Sequence, residues 1–227
     1  MMRPSVKRHA RSAWAWSALL SLAAVGLGLG FGRSIAVAAT ATWRTAVQRH
    51  TVAREWASLR AGTPVAGQRG TVELVEFADY QCPYCRLVND SVEALALRNG
   101  FRVVFRHFPI AALHPAAEGA ARSAICAEPQ GKFIEMHRYL MTREEWQTDT
   151  AWAAIASAVG VPDVQSFLTC RHSPGTDAQL REDRKFVQAL RLTGTPAFVD
   201  SQHVVIGTTA LRALMRERET SNSGTRQ

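Results

Sequence analysis

The stretch TVELVEFADYQCPYCRLVND, residues 71–90, joins a strand pattern, a pair of cysteines and the start of a helix. Residues 71–77 are rich in β-formers and almost continuously apolar, which predicts a buried strand. Cys82 and Cys85 follow, separated by a Pro-Tyr dipeptide. Because proline suits the first position of a helix, we expect a helix to begin at Cys82. The stretch therefore places a CxxC motif at a junction between a strand and a helix.

The order of the remaining patterns indicates the fold class. A second strand, FRVVFRHF at 101–108, follows the helix, and strand–helix–strand in so short a stretch predicts a parallel βαβ unit. Residues 112–190 show helical patterns only. Two short strands, PAFVD and HVVIG, then form a predicted hairpin before a last helix. This order predicts an α/β fold, with a mixed sheet flanked by helices and an all-helical insertion between the βαβ and ββα halves.

The N-terminus has the pattern of an export segment. Residues 1–11 carry four Lys or Arg residues, and residues 12–32 contain no charge, which is long enough to span a bilayer. We therefore expect a basic cytoplasmic end and a membrane anchor. A cleaved signal peptide, with small residues at 36–38, is the alternative. Both interpretations send the remainder to the periplasm or another extracytoplasmic space.

The charge of the chain is concentrated in this N-terminal segment. The whole chain carries a net charge of +8, whereas the residues after position 40 hold 22 basic and 19 acidic residues. The basic excess therefore belongs mostly to the export segment, and it does not indicate a nucleic-acid partner.

Composition and turn signals divide the rest of the chain. A helix is predicted over residues 42–59, and the glycine- and proline-containing stretch AGTPVAGQRG, residues 61–70, is expected to interrupt regular structure. The predicted organisation after the membrane segment is a spacer at 33–69, a folded domain at 70–219 with its helical insertion at about 112–190, and a disordered tail at 220–227.

A CxxC pair can form a metal site, a haem attachment site, a structural disulfide or a redox centre. A zinc site needs four ligands, usually in close pairs, and the other two cysteines stand singly. A haem site needs histidine directly after the second cysteine, where this chain has Arg86. A purely structural CxxC disulfide is rare at a strand-to-helix junction. The sequence therefore predicts neither a metal nor a cofactor.

The position of the cysteines favours the redox centre. Residues three apart in a helical turn lie within the Cα range that a disulfide accepts. If Cys82 is the N-cap, its sulfur faces unpaired backbone N–H groups, which together with the helix dipole stabilise a thiolate. We expect Cys82 to be the more exposed and more acidic thiol, and Cys85 to be the resolving thiol.

The remaining cysteines, Cys126 and Cys170, lie on separate predicted helices of the insertion. In an exported protein disulfides form and persist, and we predict a structural disulfide between these two residues. Two buried free thiols are the alternative.

Four stretches together resemble the DsbA-like family: VEFADYQCPYC, FRVVFRHFP, LHPAAEGAARSAICAEPQGKF and TGTPAFV. Members of that family are thioredoxin-fold thiol:disulfide oxidoreductases of the bacterial cell envelope. The resemblance covers about residues 70–219 and implies a thioredoxin-like fold with a helical insertion. By match of position it also implies a nucleophile at Cys82 and a resolving thiol at Cys85.

Two further site residues lie in TGTPAFV, and one lies in the first strand. Pro196 stands at the head of a strand, which makes a cis peptide bond a candidate, and the resemblance places it beside the active site. Thr195 would offer backbone groups to an extended client chain. Glu76 falls where thioredoxin-fold proteins often have a buried acid beneath the CxxC, where it could relay a proton to Cys85. An ordinary strand-start proline and an outward-pointing glutamate are the alternatives.

The resemblance implies dithiol–disulfide exchange with exported polypeptides that contain cysteines. It also implies a membrane-bound, quinone-linked thiol oxidoreductase as the partner that restores the disulfide. The Pro-Tyr dipeptide departs from the Pro-His of the strongly oxidising archetype. A threonine before the proline, as at Thr195, also occurs in isomerases of this fold. A client-restricted reductase or isomerase is therefore the alternative. A non-catalytic binding module or chaperone is a third interpretation, which the intact thiol pair disfavours.

Overall fold

The computed structural model of the protein describes residues 43–67, 72–148, 151–209, 211 and 213. The predicted membrane segment at 12–32 and the predicted tail at 220–227 lie outside these residues. The chain forms two compact units, Met1–Ala46 and Val47–Gln227. Of the first unit, only residues 43–46 are described, and they are helical.

None of the helices within the described ranges is long and apolar enough to cross a membrane.

The described part of the second unit consists of helices and short strands, in an order that matches the predicted one apart from an additional first strand. In chain order the elements are α1 (47–59), β1 (Thr63–Ala66), β2 (Val72–Ala78), α2 (Pro83–Asn99), β3 (Arg102–His107), α3 (Ala117–Ala127), α4 (Phe133–Thr142), α5 (Trp152–Ala158), α6 (Val164–Cys170), α7 (Pro174–Ala189), β4 (Ala197–Val199) and β5 (Val204–Ile206). Two short 3-10 helices, Glu128–Gln130 and Glu145–Gln147, flank α4, and a helical segment begins at residue 208.

The described strands form one mixed sheet in the order β1-β3-β2-β4-β5. Strands β2 and β3 are parallel and are joined by α2, as the βαβ pattern predicts. Strand β4 is antiparallel to β2 and to β5, so the last two strands form the predicted hairpin. The helical insertion lies between the two halves in sequence. The predicted fold class, a thioredoxin-like mixed sheet with an all-helical insertion, is confirmed.

Strand β1 was not predicted, because its residues lie in the stretch expected to interrupt regular structure. It pairs antiparallel with β3 at the edge of the sheet, with Thr63 opposite Phe105. An edge strand tolerates proline, since one row of its backbone N–H groups needs no partner strand, and Pro64 is accommodated for that reason. The predicted domain starts at residue 70, whereas the compact unit starts at Val47 and includes both α1 and β1.

Alternating side chains of β2 separate the core into two layers. Leu74 packs against α2 through Val88 and Val92. Its neighbour Val75 points to the other face, where α1 and α7 provide an apolar cover. The sheet is therefore enclosed between helices, and Glu76 shares the face of Leu74 because side chains alternate along a strand.

A buried ion pair joins α1, β3 and α7. The Arg106 guanidinium contacts the Asp183 carboxylate at 2.9 Å and donates to the backbone carbonyl oxygens of Ser58 and Leu59 at the end of α1. The second Asp183 oxygen accepts the backbone N–H of His107 at 2.8 Å. Both charged side chains are almost completely buried, so the charge of each compensates for the cost of burying the other.

Candidate active site

The two CxxC cysteines lie where β2 ends and α2 begins. Cys82 is the N-cap of α2, with extended backbone angles, and Pro83 occupies the first turn. The helix ends at Gly100, which adopts the left-handed conformation that favours glycine. Both ends of α2 therefore follow from the local sequence, and the predicted start places Cys82 in front of the free N–H groups of the first turn.

The Cys82 sulfur is surrounded by hydrogen-bond donors. A hydrogen bond from the Cys85 thiol is the largest of the effects that lower the pKa of Cys82 to about 5, from an ordinary value of 9.0. The backbone N–H groups of Cys85 and Tyr84 lower this pKa further, whereas burial opposes them. The N-cap position thus stabilises a thiolate on Cys82, as helix N-termini do for other reactive cysteines.

Cys85 has the opposite environment. It is 0% exposed, compared with 4% for Cys82, and burial is the main cause that raises its pKa. The hydrogen bond to Cys82 raises this pKa further, as do the charges of Cys82 and Glu76. Both thiols are free in this structure, and they differ strongly in acidity.

The loop before β4 faces the first cysteine. The peptide bond between Thr195 and Pro196 is cis, and Pro196 directly precedes β4. In its protonated form Cys82 donates to the Thr195 carbonyl oxygen, with 3.6 Å between sulfur and oxygen. The structure therefore brings the Cys82–Cys85 pair together with Thr195 and Pro196, although Cys82 and Thr195 are 113 positions apart in sequence.

Glu76 lies in the middle of β2, between Phe105 and Phe198 of the neighbouring strands. Its side chain points into the core, with 2% exposure, and its Oε1 atom has no hydrogen-bond partner among the described residues. Burial raises the pKa of Glu76 to about 8, so the carboxyl group keeps its proton at neutral pH. It is close enough to Cys85 for its charge to raise the pKa of that thiol.

Asp79 holds the loop ahead of the motif, a role that the sequence did not reveal. Its Oδ1 atom accepts the N–H of Gln81, and its Oδ2 atom accepts the N–H of Ile110 and contacts His114 Nδ1, each at 2.8 Å. The buried carboxylate thereby joins the loop before Cys82 to the segment after β3. The short Asp79–Gln81 contact is typical of an aspartate turn, which was the only local signal for it.

A second set of side chains near the CxxC motif was not predicted from the sequence. The Tyr80 hydroxyl is 3.1 Å from His137 Nδ1, and His137 Nε2 is 3.1 Å from Asn89 Oδ1. His137 comes from helix α4 of the insertion, so only the fold brings it to the motif. Glu76 lines a small cavity together with Asn89 and His137.

The other two cysteines form a disulfide within the insertion. It links Cys126 on α3 to Cys170 at the end of α6, across 44 positions of sequence. The Thr176 hydroxyl of α7 lies within 3.5 Å of both sulfur atoms. The link fastens helices of the insertion to one another, in keeping with a structural role.

Comparison with known proteins agrees with the fold. Residues 73–217 match the family model described as DSBA-like thioredoxin domain. The solved structure of a thioredoxin-like oxidoreductase from Silicibacter pomeroyi DSS-3 is similar, with 30% sequence identity, a TM-score of 0.61, and coverage of 70% of this chain and 91% of that chain. The thiol-disulfide exchange protein alpha-DsbA2 from Wolbachia pipientis shares the fold, with 20% identity, a TM-score of 0.66, and coverage of 78% of this chain and 97% of that chain.

One curated relative is named as an ion antiporter and has a much longer chain. The Na(+)/H(+) antiporter NhaA 1 from Mycobacterium sp. (strain KMS) is 32% identical over 131 residues, which are 55% of this chain and 21% of that protein. The chain thus spans about a fifth of the length of the curated relatives it matches first.

Proposed function

The chain belongs to the family of DSBA-like thioredoxin domains, and from that premise we propose that it is a thiol:disulfide oxidoreductase that acts through Cys82 and Cys85. Its substrates are cysteine-containing polypeptides outside the cytoplasm. The difference between the two thiols is the observation that carries the proposal. The pKa of Cys82 is lowered to about 5, whereas the pKa of Cys85 is raised by burial.

This difference assigns a separate step to each sulfur. A thiolate is the attacking or leaving species in disulfide exchange. Cys82, at 4% exposure, is the more accessible of the two cysteines. Cys85 is fully buried behind it and can react only with a sulfur already attached to Cys82. Cys82 is therefore the sulfur that bonds to the client, and Cys85 resolves that bond.

In the oxidising direction, a client thiolate attacks the Cys82 sulfur of the Cys82–Cys85 disulfide. The bond between client and Cys82 forms, the bond between the two cysteines breaks, and Cys85 leaves with the electron pair and takes up a proton. A second client thiolate then attacks the client sulfur of the mixed disulfide, and Cys82 leaves as a thiolate. The client loses two electrons, and the dithiol gains them.

Glu76 is the proton donor for the departing Cys85. The raised pKa of Cys85 requires that this sulfur leave as a thiol, and a carboxyl group with a pKa of about 8 is protonated at neutral pH. Glu76 gives its proton to Cys85 when the disulfide opens, and it recovers a proton from solvent afterwards. In the reducing direction the same groups act in reverse order.

The acidity of Cys82 favours the oxidising direction. A stabilised thiolate stabilises the reduced enzyme, and a stable reduced form makes the disulfide a strong oxidant. The loop with Thr195 and Pro196 lies beside the Cys82 sulfur, where its backbone can receive an extended client chain. Disulfide reduction or isomerisation of a narrow set of clients is the second candidate, because Cys82 can also act as the attacking thiolate.

The cellular setting completes the proposal. The basic segment 1–11 and the uncharged segment 12–32 anchor the protein in the cytoplasmic membrane or direct its export, and the domain over 70–219 works on the outer side. A membrane-bound, quinone-linked thiol oxidoreductase restores the disulfide. The match to the Mycobacterium Na(+)/H(+) antiporter covers only 21% of that protein and gives no support for ion exchange by this chain.

Trapping of covalent complexes tests the assignment of roles. Cys85→Ser keeps the attacking thiolate but cannot resolve the mixed disulfide, so it should accumulate complexes with client proteins that dissolve on treatment with a reductant. Cys82→Ser is the matched control and should trap nothing and lose exchange activity. Complexes formed by Cys82→Ser, or none formed by Cys85→Ser in cells, would contradict the assigned roles.

A further inference from the structure

One histidine of the insertion connects the two sides of the CPYC motif. His137 contacts the Tyr80 hydroxyl through Nδ1 and Asn89 Oδ1 through Nε2, each at 3.1 Å. Tyr80 lies two residues before Cys82, and Asn89 lies one helical turn after Cys85. The bridge therefore holds the loop in front of α2 and the second turn of α2 at a fixed separation.

The chemistry of the three side chains determines which atom donates in each of the two hydrogen bonds. An amide oxygen can only accept, and Asn89 Nδ2 already donates to Asp90 Oδ1 at 3.3 Å, which identifies the Asn89 atom facing His137 as the oxygen. His137 Nε2 therefore carries the proton and donates, and Nδ1 accepts from the Tyr80 hydroxyl. Burial lowers the pKa of His137 to about 3, so the ring stays neutral and keeps this single tautomer.

Aromatic rings fix the orientation of the imidazole. The His137 ring stacks on Phe133, with centroids 5.7 Å apart, and meets Phe105 edge-on at 5.0 Å. Tyr80 itself stacks on Phe105 at 5.2 Å. With its faces and edges packed in this way, the ring cannot turn without losing both hydrogen bonds, and the bridge is rigid.

We propose that His137 is a positioning residue for the redox pair: by joining Tyr80 to Asn89 it holds the first turn of α2 in the orientation that aims its backbone N–H groups at the Cys82 sulfur. The inference rests on the proposed function, because it concerns the same dithiol. It gives the helical insertion a direct part in setting the reactivity of a motif that belongs to the other half of the fold.

The consequence of losing the bridge has a definite direction. The N–H groups of Tyr84 and Cys85 stabilise the Cys82 thiolate only while the first turn keeps its orientation. A looser turn weakens these bonds in the thiolate and leaves the disulfide almost unaffected. The reduced form then loses stability relative to the oxidised form, and the Cys82 pKa rises.

His107 supplies a matched control for the test. Its ring is buried in the same cluster, 5.2 Å from Phe105 and 6.1 Å from Tyr80, and burial lowers its pKa to about 3 as well. Neither of its ring nitrogens has a hydrogen-bond partner among the residues described. His107→Phe therefore repeats the exchange of ring type in His137→Phe without removing a hydrogen bond.

The experiment measures the pH profile of Cys82 alkylation and the equilibrium with glutathione for the full chain and its variants. Breaking two buried hydrogen bonds should raise the midpoint of Cys82 in His137→Phe by roughly half to one pH unit and shift the glutathione equilibrium roughly three- to tenfold toward the disulfide. His107→Phe should shift the glutathione equilibrium less than about twofold and the Cys82 midpoint less than about 0.3 pH unit. Tyr80→Phe removes one hydroxyl only and should shift both in the same direction as His137→Phe, with an effect that does not add to it in the double variant.

Two results would overturn the inference. Equal shifts in His137→Phe and His107→Phe would mean that packing alone is responsible, and a Cys82 midpoint unchanged in both Tyr80→Phe and His137→Phe would mean that the bridge does not act on the dithiol. His137→Gln can still accept from Tyr80 and donate to Asn89, so under the proposal it retains more of the acidity of Cys82 than His137→Phe does. A wild-type protein whose Cys82 is not acidic would refute the proposed function instead, which keeps the two failures distinct.

Discussion

Glu76→Gln should stabilise the protein at neutral and alkaline pH and leave it almost unchanged below the ordinary glutamate pKa of 4.5. The Glu76 side chain is buried in β2, and its Oε1 atom has no hydrogen-bond partner within the described residues. Burial therefore raises the pKa of this carboxyl from an ordinary value of 4.5 to about 8. Glutamine has the same size and is neutral at every pH, so it replaces the protonated glutamic acid without a change of volume.

The size of the effect follows from the difference in proton binding between the folded and unfolded chains. Above its ordinary pKa of 4.5 the unfolded chain releases the Glu76 proton, whereas the folded protein keeps it up to a pH of about 8. The folded state binds more protons in this window, so the free energy of unfolding falls as the pH rises, by about 1.4 kcal/mol for each pH unit. From about pH 5 to pH 7.5 the loss of unfolding free energy caused by Glu76 should therefore accumulate to about 3 kcal/mol. Glu76→Gln removes this loss.

Urea denaturation of the oxidised protein measures this difference, because neither active-site thiol can then titrate. The stability of Glu76→Gln relative to the wild type should increase steadily from pH 5 to pH 7.5. Glu93→Gln, which removes a half-exposed carboxylate that faces Arg138, controls for the loss of one negative charge. Parallel stability curves for Glu76→Gln and the wild type would show that Glu76 holds no proton at neutral pH, and its role as proton donor to Cys85 would then be wrong.

Three further predictions concern the rest of the chain. Replacing Cys126 and Cys170 together by alanine opens a link across 44 positions and should lower the free energy of unfolding by ~4 kcal/mol, and two alkylatable thiols at these positions in the denatured, oxidised wild type would contradict it. Asp183→Ala leaves Arg106 buried without its partner and should cost ~3–5 kcal/mol in urea denaturation, whereas Glu182→Ala, which removes an exposed partner of Arg106, should cost less than ~1 kcal/mol; equal costs would exclude the buried pair as the cause. Cell fractionation with sequencing of the mature N-terminus should find the protein in the cytoplasmic membrane; a soluble exported protein that begins at Ala39 would refute the anchor, and a fully reduced cytoplasmic protein would refute export.

The parts of the site that the sequence predicted are those with local causes. A proline directly after Cys82 marks the start of α2, and Gly100 marks its end, so the helix and the N-cap position of the first cysteine could be recognised without a structure. The return of apolar β-formers at Ala197–Val199 predicted β4 in the same way. The βαβ order then required parallel strands, which fixed the centre of the sheet.

Strand β1 escaped prediction because tertiary pairing outweighs its local sequence. Glycine and proline are depleted in strands, and this segment contains Pro64 between Gly62 and Gly67. The hydrogen bonds come from β3, whose opposite edge is already paired with β2. No local sequence pattern indicates that a neighbouring strand will have an unpaired edge.

The residues around the dithiol were missed for a related reason. Asp79 acts by joining two loops, and His137 reaches the motif from a helix of the insertion, so neither role is visible in a window of the sequence. Asn89 carried a usable signal, because residues four apart on a helix share a face and it follows Cys85 at that spacing. The partner on that face could be identified only from the fold.

The proposed chemistry requires that the two thiols are unequal and that Cys82 is the acidic one. Alkylation of the reduced, folded protein over a range of pH, with each modified cysteine identified by mass spectrometry, tests this claim directly. Cys82 should react with a midpoint near pH 5, and Cys85 should stay unmodified until the protein unfolds. A midpoint of Cys82 near its ordinary value of 9.0, or a Cys85 that titrates first, would contradict it.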